Sequence, residues 1–201
     1  MIFMGYRHQI RATWHSYNDG VYFVTICCKD MLHYFVEIHS QRMTLSPAGE
    51  IAELQISQLP SHFAYVEVWN HVVMPNHIHL ILAIDRHEGV NTVIPGEAGL
   101  GCLRPKNHHD GNTSVFHHNS MLSVVVRSLK GGIKRICGKA GIPFEWLPRF
   151  HEHIIRNAVD YENIMIYIDN NVEKWQNDCF YAPDEEVRAL GGRGVFRKRM
   201  I

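Results

Sequence analysis

Two strand-like runs separated by three residues, YVEVWNHVV at 65–73 and HIHLILAI at 77–84, constrain the fold of this chain more than any other feature. Both are rich in β-branched and aromatic residues, and Met74-Pro75-Asn76 between them suits a tight turn, so they read as a short hairpin. Successive side chains of a strand point to opposite faces. Ile78, Leu80, Leu82 and Ile84 therefore share a core face, while His77, His79, Ile81 and Ala83 share the other. That second face is apolar at its far end and carries two imidazoles at its near end. Two nitrogen ligands on one rigid strand end can hold a metal ion; the competing reading is a half-buried pair satisfied by hydrogen bonds.

Around this hairpin the remaining elements follow from pattern. VYFVTICC at 21–28 reads as a buried strand. Leu45-Ser46-Pro47 offers a helix start with proline at the first position, and the helix runs to Leu59, stopped by Pro60. Leu122, Val125, Val126, Leu129, Ile133 and Ile136 repeat at helical spacing, with Gly131-Gly132 weakening or bending that helix. FHEHIIR at 150–156 is a further strand candidate. A last helix starts at Asn157, a good N-cap with Asp160 in its first turn, and runs to about Trp175. Strand, helix, hairpin, helix, strand, helix suits an α+β domain: a ferredoxin-like split βαβ, with an antiparallel sheet covered by helices on one face. The order in which the strands pair does not follow from the sequence.

Residues 86–119 break the pattern with Gly, Asn, His and Pro and no apolar period, so they are expected to form a long flexible insertion. The pairs His108-His109 and His117-His118 lie there, but adjacent histidines point apart and make poor chelators. Residues 1–16 form an N-terminal arm, 17–180 the folded domain, and 181–201 a basic tail.

Five cysteines, an odd number with no CxxC spacing, argue against a disulfide framework and for a reducing compartment. No apolar run nears the roughly 18 residues of a membrane span, and MIFMGYRHQIR lacks the apolar core of a signal peptide. A cytoplasmic protein without a membrane partner is expected. Twenty basic and twenty acidic residues cancel, but unevenly. Between 111 and 144 there is no acidic residue, while Arg127, Lys130, Lys134, Arg135 and Lys139 fall there, and the tail repeats this with Arg188, Arg193, Arg197, Lys198 and Arg199. Both stretches suit phosphate; a solvated helix face and a loose tail is the alternative.

On the last helix, Tyr161, Ile164, Met165, Ile168, Val172 and Trp175 fall within one stripe, the buried one. Asp160, Asn163, Tyr167, Asn171 and Lys174 form a neighbouring polar stripe. Tyr167 and Asn171, four apart, stand one above the other, so a phenol and an amide carbonyl can reach the same small volume.

HVVMPNHIHLIL followed by FEWLPRFHEHIIRNAVDYENIMIYIDNN resembles the single-tyrosine HUH transposases, in particular the REP-associated tyrosine transposases and their insertion-sequence relatives. HUH stands for His, hydrophobic, His, here His77, Ile78 and His79. The resemblance covers roughly residues 17–180 and implies a transposase that cleaves and rejoins single-stranded or hairpin DNA. It implies Tyr167 as nucleophile and His77, His79 and Asn171 as ligands of a divalent ion, Mg²⁺ or Mn²⁺. Three neutral N/O ligands leave positions open for phosphate oxygens. Arg127, Lys130, Lys134, Arg135 and Arg149 are the expected DNA contacts, and a homodimer is one option for the assembly. Where relatives usually show Trp-Gln before the FH strand, this chain has Trp146-Leu147-Pro148. Asn171 as a helix cap, Tyr161 as nucleophile, a non-cleaving hairpin-DNA-binding regulator and a zinc hydrolase that uses water stay open beside this reading.

Overall fold

The computed structural model describes residues 12, 15–39, 42–85, 120–181 and 183. The expected insertion at 86–119, nearly all of the N-terminal arm and nearly all of the basic tail lie outside the described residues.

The chain forms β1 (Gly20–Cys27), β2 (Val36–His39), β3 (Arg42–Leu45), α1 (Pro47–Ser57), α2 (Leu59–His62), β4 (Val66–Val73), β5 (His77–Ile84), α3 (Met121–Lys139), β6 (His151–Ile155) and α4 (Ala158–Asp169). One sheet has the order β4-β5-β1-β6 with every neighbour antiparallel. β1 and β4, joined through α1, are thus parallel with β5 slotted between them. β5 and β6, joined through α3, are parallel with β1 between. This is the split βαβ arrangement of an α+β ferredoxin-like domain. β2 and β3 form a separate hairpin; at four residues each, they are too short to leave a clear alternation in the sequence.

Local chemistry sets the helix boundaries. The Ser46 hydroxyl accepts from the Gly49 N–H at 3.1 Å and Pro47 follows at N1, while Pro60 opens the short α2. The Ser120 hydroxyl accepts from Ser123 N–H at the start of α3. α4 stops sooner than its apolar stripe suggests. Asn170 ends it, donating its side-chain amide to the Ile166 carbonyl at 2.7 Å, and a 3₁₀ turn, Trp175–Asn177, follows. The stripe is nonetheless buried: Ile168 and Trp175 are in the core and Tyr161, Ile164, Met165 and Val172 pack against it.

The sheet separates two apolar layers. Tyr22, Val24 and Ile26 of β1 and Ile78, Leu80 and Leu82 of β5 meet Ala52 and Ile56 of α1 and Leu122, Val125, Leu129 and Ile133 of α3. On the opposite face a smaller layer joins Val21, Val72, Ile81 and Ile155 to Ile168 and Trp175. The two crossover helices cover the first face, as expected, and α4 lies on the second, the face of the histidines. Among the described residues no helix is long and apolar enough to cross a membrane.

Two glycines in helices behave oppositely. A Cβ on Gly49 would collide with the Phe35 backbone carbonyl, whereas one on Gly131 meets nothing within 4 Å. Gly49→Ala should destabilise the fold by about 1–3 kcal/mol, and Gly131→Ala should stabilise it by about 0.5–1 kcal/mol. Denaturant midpoints of the two variants moving in the same direction would contradict this packing of α1 against the 34–36 backbone.

Candidate active site

The β4–β5 turn does more than reverse the chain. Cys28 N–H donates to the Asn76 carbonyl at 2.8 Å and Phe35 N–H to the Pro75 carbonyl at 3.1 Å, fixing the turn against the end of β1. Asn76 is fully buried. Its side-chain amide donates to the carbonyls of Met31 and Phe180, which orients it and leaves its oxygen facing His77 Nδ1 at 2.9 Å. An acceptor there requires the proton on Nδ1, so His77 Nε2 carries the lone pair. That nitrogen is buried and has no hydrogen-bond partner among the described residues. His79 is held in parallel fashion, with Thr25 Oγ1 at 2.9 Å from Nδ1. The two rings stand 4.4 Å apart between centroids.

Helix α4 brings Tyr167 to this pair. Its Oη lies 3.2 Å from His79 Nε2, and the ring stands edge-on to Phe23. The phenol also donates to Asp178 Oδ2 at 3.2 Å, and Asn171 Nδ2 donates to the same oxygen at 3.1 Å. Asn171 is buried, and its Oδ1 has no hydrogen-bond partner among the described residues. Phe180 completes the enclosure, with its ring 4.7 Å from that of His77 and its N–H donating to Asp178 Oδ1 at 2.7 Å. Tyr167 keeps 41% of its surface exposed, so the site has one open side.

Electrostatics follow from burial. His77 is pushed down to about 3 by desolvation, helped by His33, and His79 well below its ordinary value by desolvation and by His77. Both imidazoles are neutral at pH 7, the state a metal ligand needs. Desolvation first, and then the Asp178 charge, raise the pKa of the Tyr167 phenol and keep it protonated. Ligand atoms of His77, His79 and Asp178 lie within 4.8 Å of one another. Two neutral imidazoles, a carboxylate and an amide oxygen with no partner make a donor set that fits a divalent cation. A cation would satisfy both orphaned buried atoms, each of which otherwise carries a desolvation cost of about 1–3 kcal/mol.

A pH dependence follows. In the chelator-treated protein His77 stays neutral in the fold down to about pH 3, whereas in the unfolded chain it takes up a proton below about 6.5. Stability is therefore fully present above pH 6.5 and lost as the pH falls, by about 2 kcal/mol at pH 5 for His77 alone; His79 adds in the same direction. Denaturant melts at pH 7, 6 and 5 giving one midpoint would refute this.

The sequence-derived residues divide in two. His77, His79, Tyr167 and Asn171 come together, joined by Asp178, which sequence reasoning missed; only its place a few residues beyond Asn171 hinted at it. The cationic residues of α3 do not come to this site. Arg127, Lys134 and Arg135 are exposed on a helix that covers the other face of the sheet. Lys130 donates its ammonium to the carbonyls of Leu147 and Arg149 at 2.8 and 2.7 Å and lies over the Trp146 ring. Arg149 is exposed in the loop before β6. A groove of about 430 Å³ between α1, α2 and α3, lined by Leu54, Gln55, Leu129 and Arg135 among others, holds none of the site's groups.

No family model matches the chain. A Haemophilus influenzae protein described as uncharacterized is 31% identical over 180 residues, spanning 88% of this chain and 94% of its own. Among solved structures, a REP-associated tyrosine transposase bound to a REP hairpin is similar at 20% identity and a TM-score of 0.48, covering 87% of this chain and 74% of that one. A Deinococcus radiodurans protein described as a candidate transposase is similar at 15% identity and a TM-score of 0.37, covering 76% of this chain and 90% of that one. The chain and its Haemophilus influenzae relative, similar over nearly the whole length of both, belong to one family.

Proposed function

We propose that this protein is a metal-dependent single-stranded DNA endonuclease and strand transferase, a transposase that acts through a 5′-phosphotyrosine on hairpin-forming repeat DNA. The observation that carries the reading is the meeting of the Tyr167 phenol with His79 Nε2 and Asp178 Oδ2, each at 3.2 Å, on a partly open surface. His77 Nε2, His79 Nε2 and Asn171 Oδ1 would hold the ion, Mg²⁺ or Mn²⁺, with the Asp178 carboxylate beside them. When bound, the ion supplies Lewis-acid polarisation of the scissile phosphate.

The chain's own groups do the rest. Tyr167 Oη attacks the phosphorus, the bond from phosphorus to the 3′-oxygen breaks, and the departing 3′-oxygen takes up a proton from solvent and leaves as a hydroxyl. Asp178 Oδ2, already the acceptor of the phenol hydrogen bond, receives the phenol proton as the new P–O bond forms. In the return step another 3′-hydroxyl attacks the phosphotyrosine and gives its proton to solvent, while Tyr167 leaves and regains its proton from Asp178. The intermediate conserves the phosphodiester bond energy, so no nucleotide triphosphate is consumed. Asn76 holds the His77 imidazole in the tautomer whose Nε2 lone pair points inward, and Thr25 fixes the orientation of the His79 ring.

Labelled single-stranded hairpin DNA from the flanks of the gene, incubated with protein and Mn²⁺, should yield a protein-linked 5′ phosphate that survives denaturing electrophoresis and is lost with chelator. Binding without adduct would favour the regulator reading. Asp178 also favours a second reading, a metallohydrolase using water, since it supplies the carboxylate ligand such a centre needs; cleavage to free ends with no adduct would establish that one instead.

A further inference from the structure

The sheet register draws a line from the paired histidines to an open edge. Val72 lies opposite His79, His79 opposite Thr25, and Thr25 opposite His151, so four side chains from four strands share one cross-strand row on the site face. The first three are buried, whereas His151 is exposed. Two inter-strand steps separate His151 from His79, about 10 Å, the scale of the neighbouring nucleotide.

Among the described residues α4 leaves this end of β6 uncovered. α4 starts beside the C-terminal part of β6, where Asp160 accepts from His153 at 2.8 and 3.1 Å. It ends over β4, where Asp169 accepts from Asn70 at 2.9 Å. His153 is therefore engaged, while the His151 side chain makes no hydrogen bond among the described residues. Glu152 points to the opposite face, opposite Val24 of the main core. Just upstream, Arg149 adopts a left-handed backbone with φ of 70°. The Lys130 ammonium pins its carbonyl, so this loop is fixed while the guanidinium stays at the surface. Lys130 thus acts within the chain as a positioning group for its basic neighbour.

We propose that the DNA strand being cut passes from the paired histidines across β1 and over the exposed end of β6, where His151 and Arg149 hold the phosphate next to the scissile one. The inference rests on the single-stranded DNA reading above and adds a subsite to it. Although its side chain is exposed, partial desolvation by the surrounding protein lowers the His151 pKa, so at neutral pH the ring acts as a neutral N–H donor, while Arg149 brings the charge and the fork suited to phosphate.

The test uses the full chain, Mn²⁺ and fluorescein-labelled oligothymidylate followed by anisotropy at several salt concentrations. Arg149→Ala should weaken binding about tenfold and reduce the slope of log affinity against log salt by about 0.7, one phosphate contact on a single strand. His151→Ala should weaken binding about threefold or more with the slope unchanged, because a neutral donor releases no counterion, and His151→Gln should restore part of the loss. Mn²⁺ affinity should stay at the wild-type value in all three. Wild-type affinity and slope in both alanine variants would overturn the subsite and leave the proposed function standing. A fall in Mn²⁺ affinity for His151→Ala would also overturn it, by placing the ring in the cation site. Failure of the wild-type protein to bind the oligonucleotide would also overturn the subsite, while the adduct assay on hairpin DNA decides the proposed function separately.

Discussion

Tyr167→Phe should abolish the covalent protein–DNA adduct, lowering its rate of formation by at least about 10³-fold, as expected when the attacking atom itself is removed. The substitution deletes one oxygen from a side chain that is 41% exposed, so the fold should persist. The ring still packs edge-on to Phe23, and Asn171 still donates to Asp178. Thermal stability and Mn²⁺ affinity should therefore stay near wild type, which separates loss of the nucleophile from loss of the site. Tyr161→Phe is the matched control, because that phenol belongs to a residue packed against the Trp69 ring in the smaller core. Adducts persisting in Tyr167→Phe would transfer the nucleophile to another residue.

Removing an imidazole should cost as much in metal binding. His77→Ala or His79→Ala should weaken Mn²⁺ binding at least about 100-fold, and Asp178→Asn and Thr25→Val about 10-fold or more, the latter by freeing the His79 ring from its Nδ1 partner. In the wild-type protein, saturating Mn²⁺ should raise stability by about 2.7 kcal/mol at a hundred times the dissociation constant, and His77→Ala should lose that increment. Calorimetric titration together with thermal melts reads both effects without recourse to DNA. Wild-type Mn²⁺ affinity in His77→Ala would exclude the paired histidines as the cation site.

Much of the grouping of His77, His79, Tyr167 and Asn171 was legible in the sequence. Alternation in HIHLILAI placed both imidazoles on one face because a strand repeats every two residues. Helical spacing put Tyr167 and Asn171 beside each other and assigned Tyr161 to the apolar stripe. Asn171 kept its place near Tyr167 although the helix ends at Asp169, since the turn that follows continues the same winding for a few residues. The positive charge on α3 was equally visible, but its direction was not. A basic stripe shows which residues are polar, and only the sheet's handedness of covering shows that α3 and the site occupy opposite faces.

The sequence alone determined the four strands of the main sheet and the three long helices, their boundaries to within a few residues in most cases, and which side chains share a face, because those depend on local periods, caps and turn residues. Only the tertiary structure decided the strand order β4-β5-β1-β6, the arrival of Asp178 between Tyr167 and Asn171, and the row that carries His79 over to His151. Those contacts join segments far apart in the chain or pass through irregular backbone, where no repeat exists to read. They are set by burying two apolar layers on one sheet at once, a condition that belongs to the whole domain.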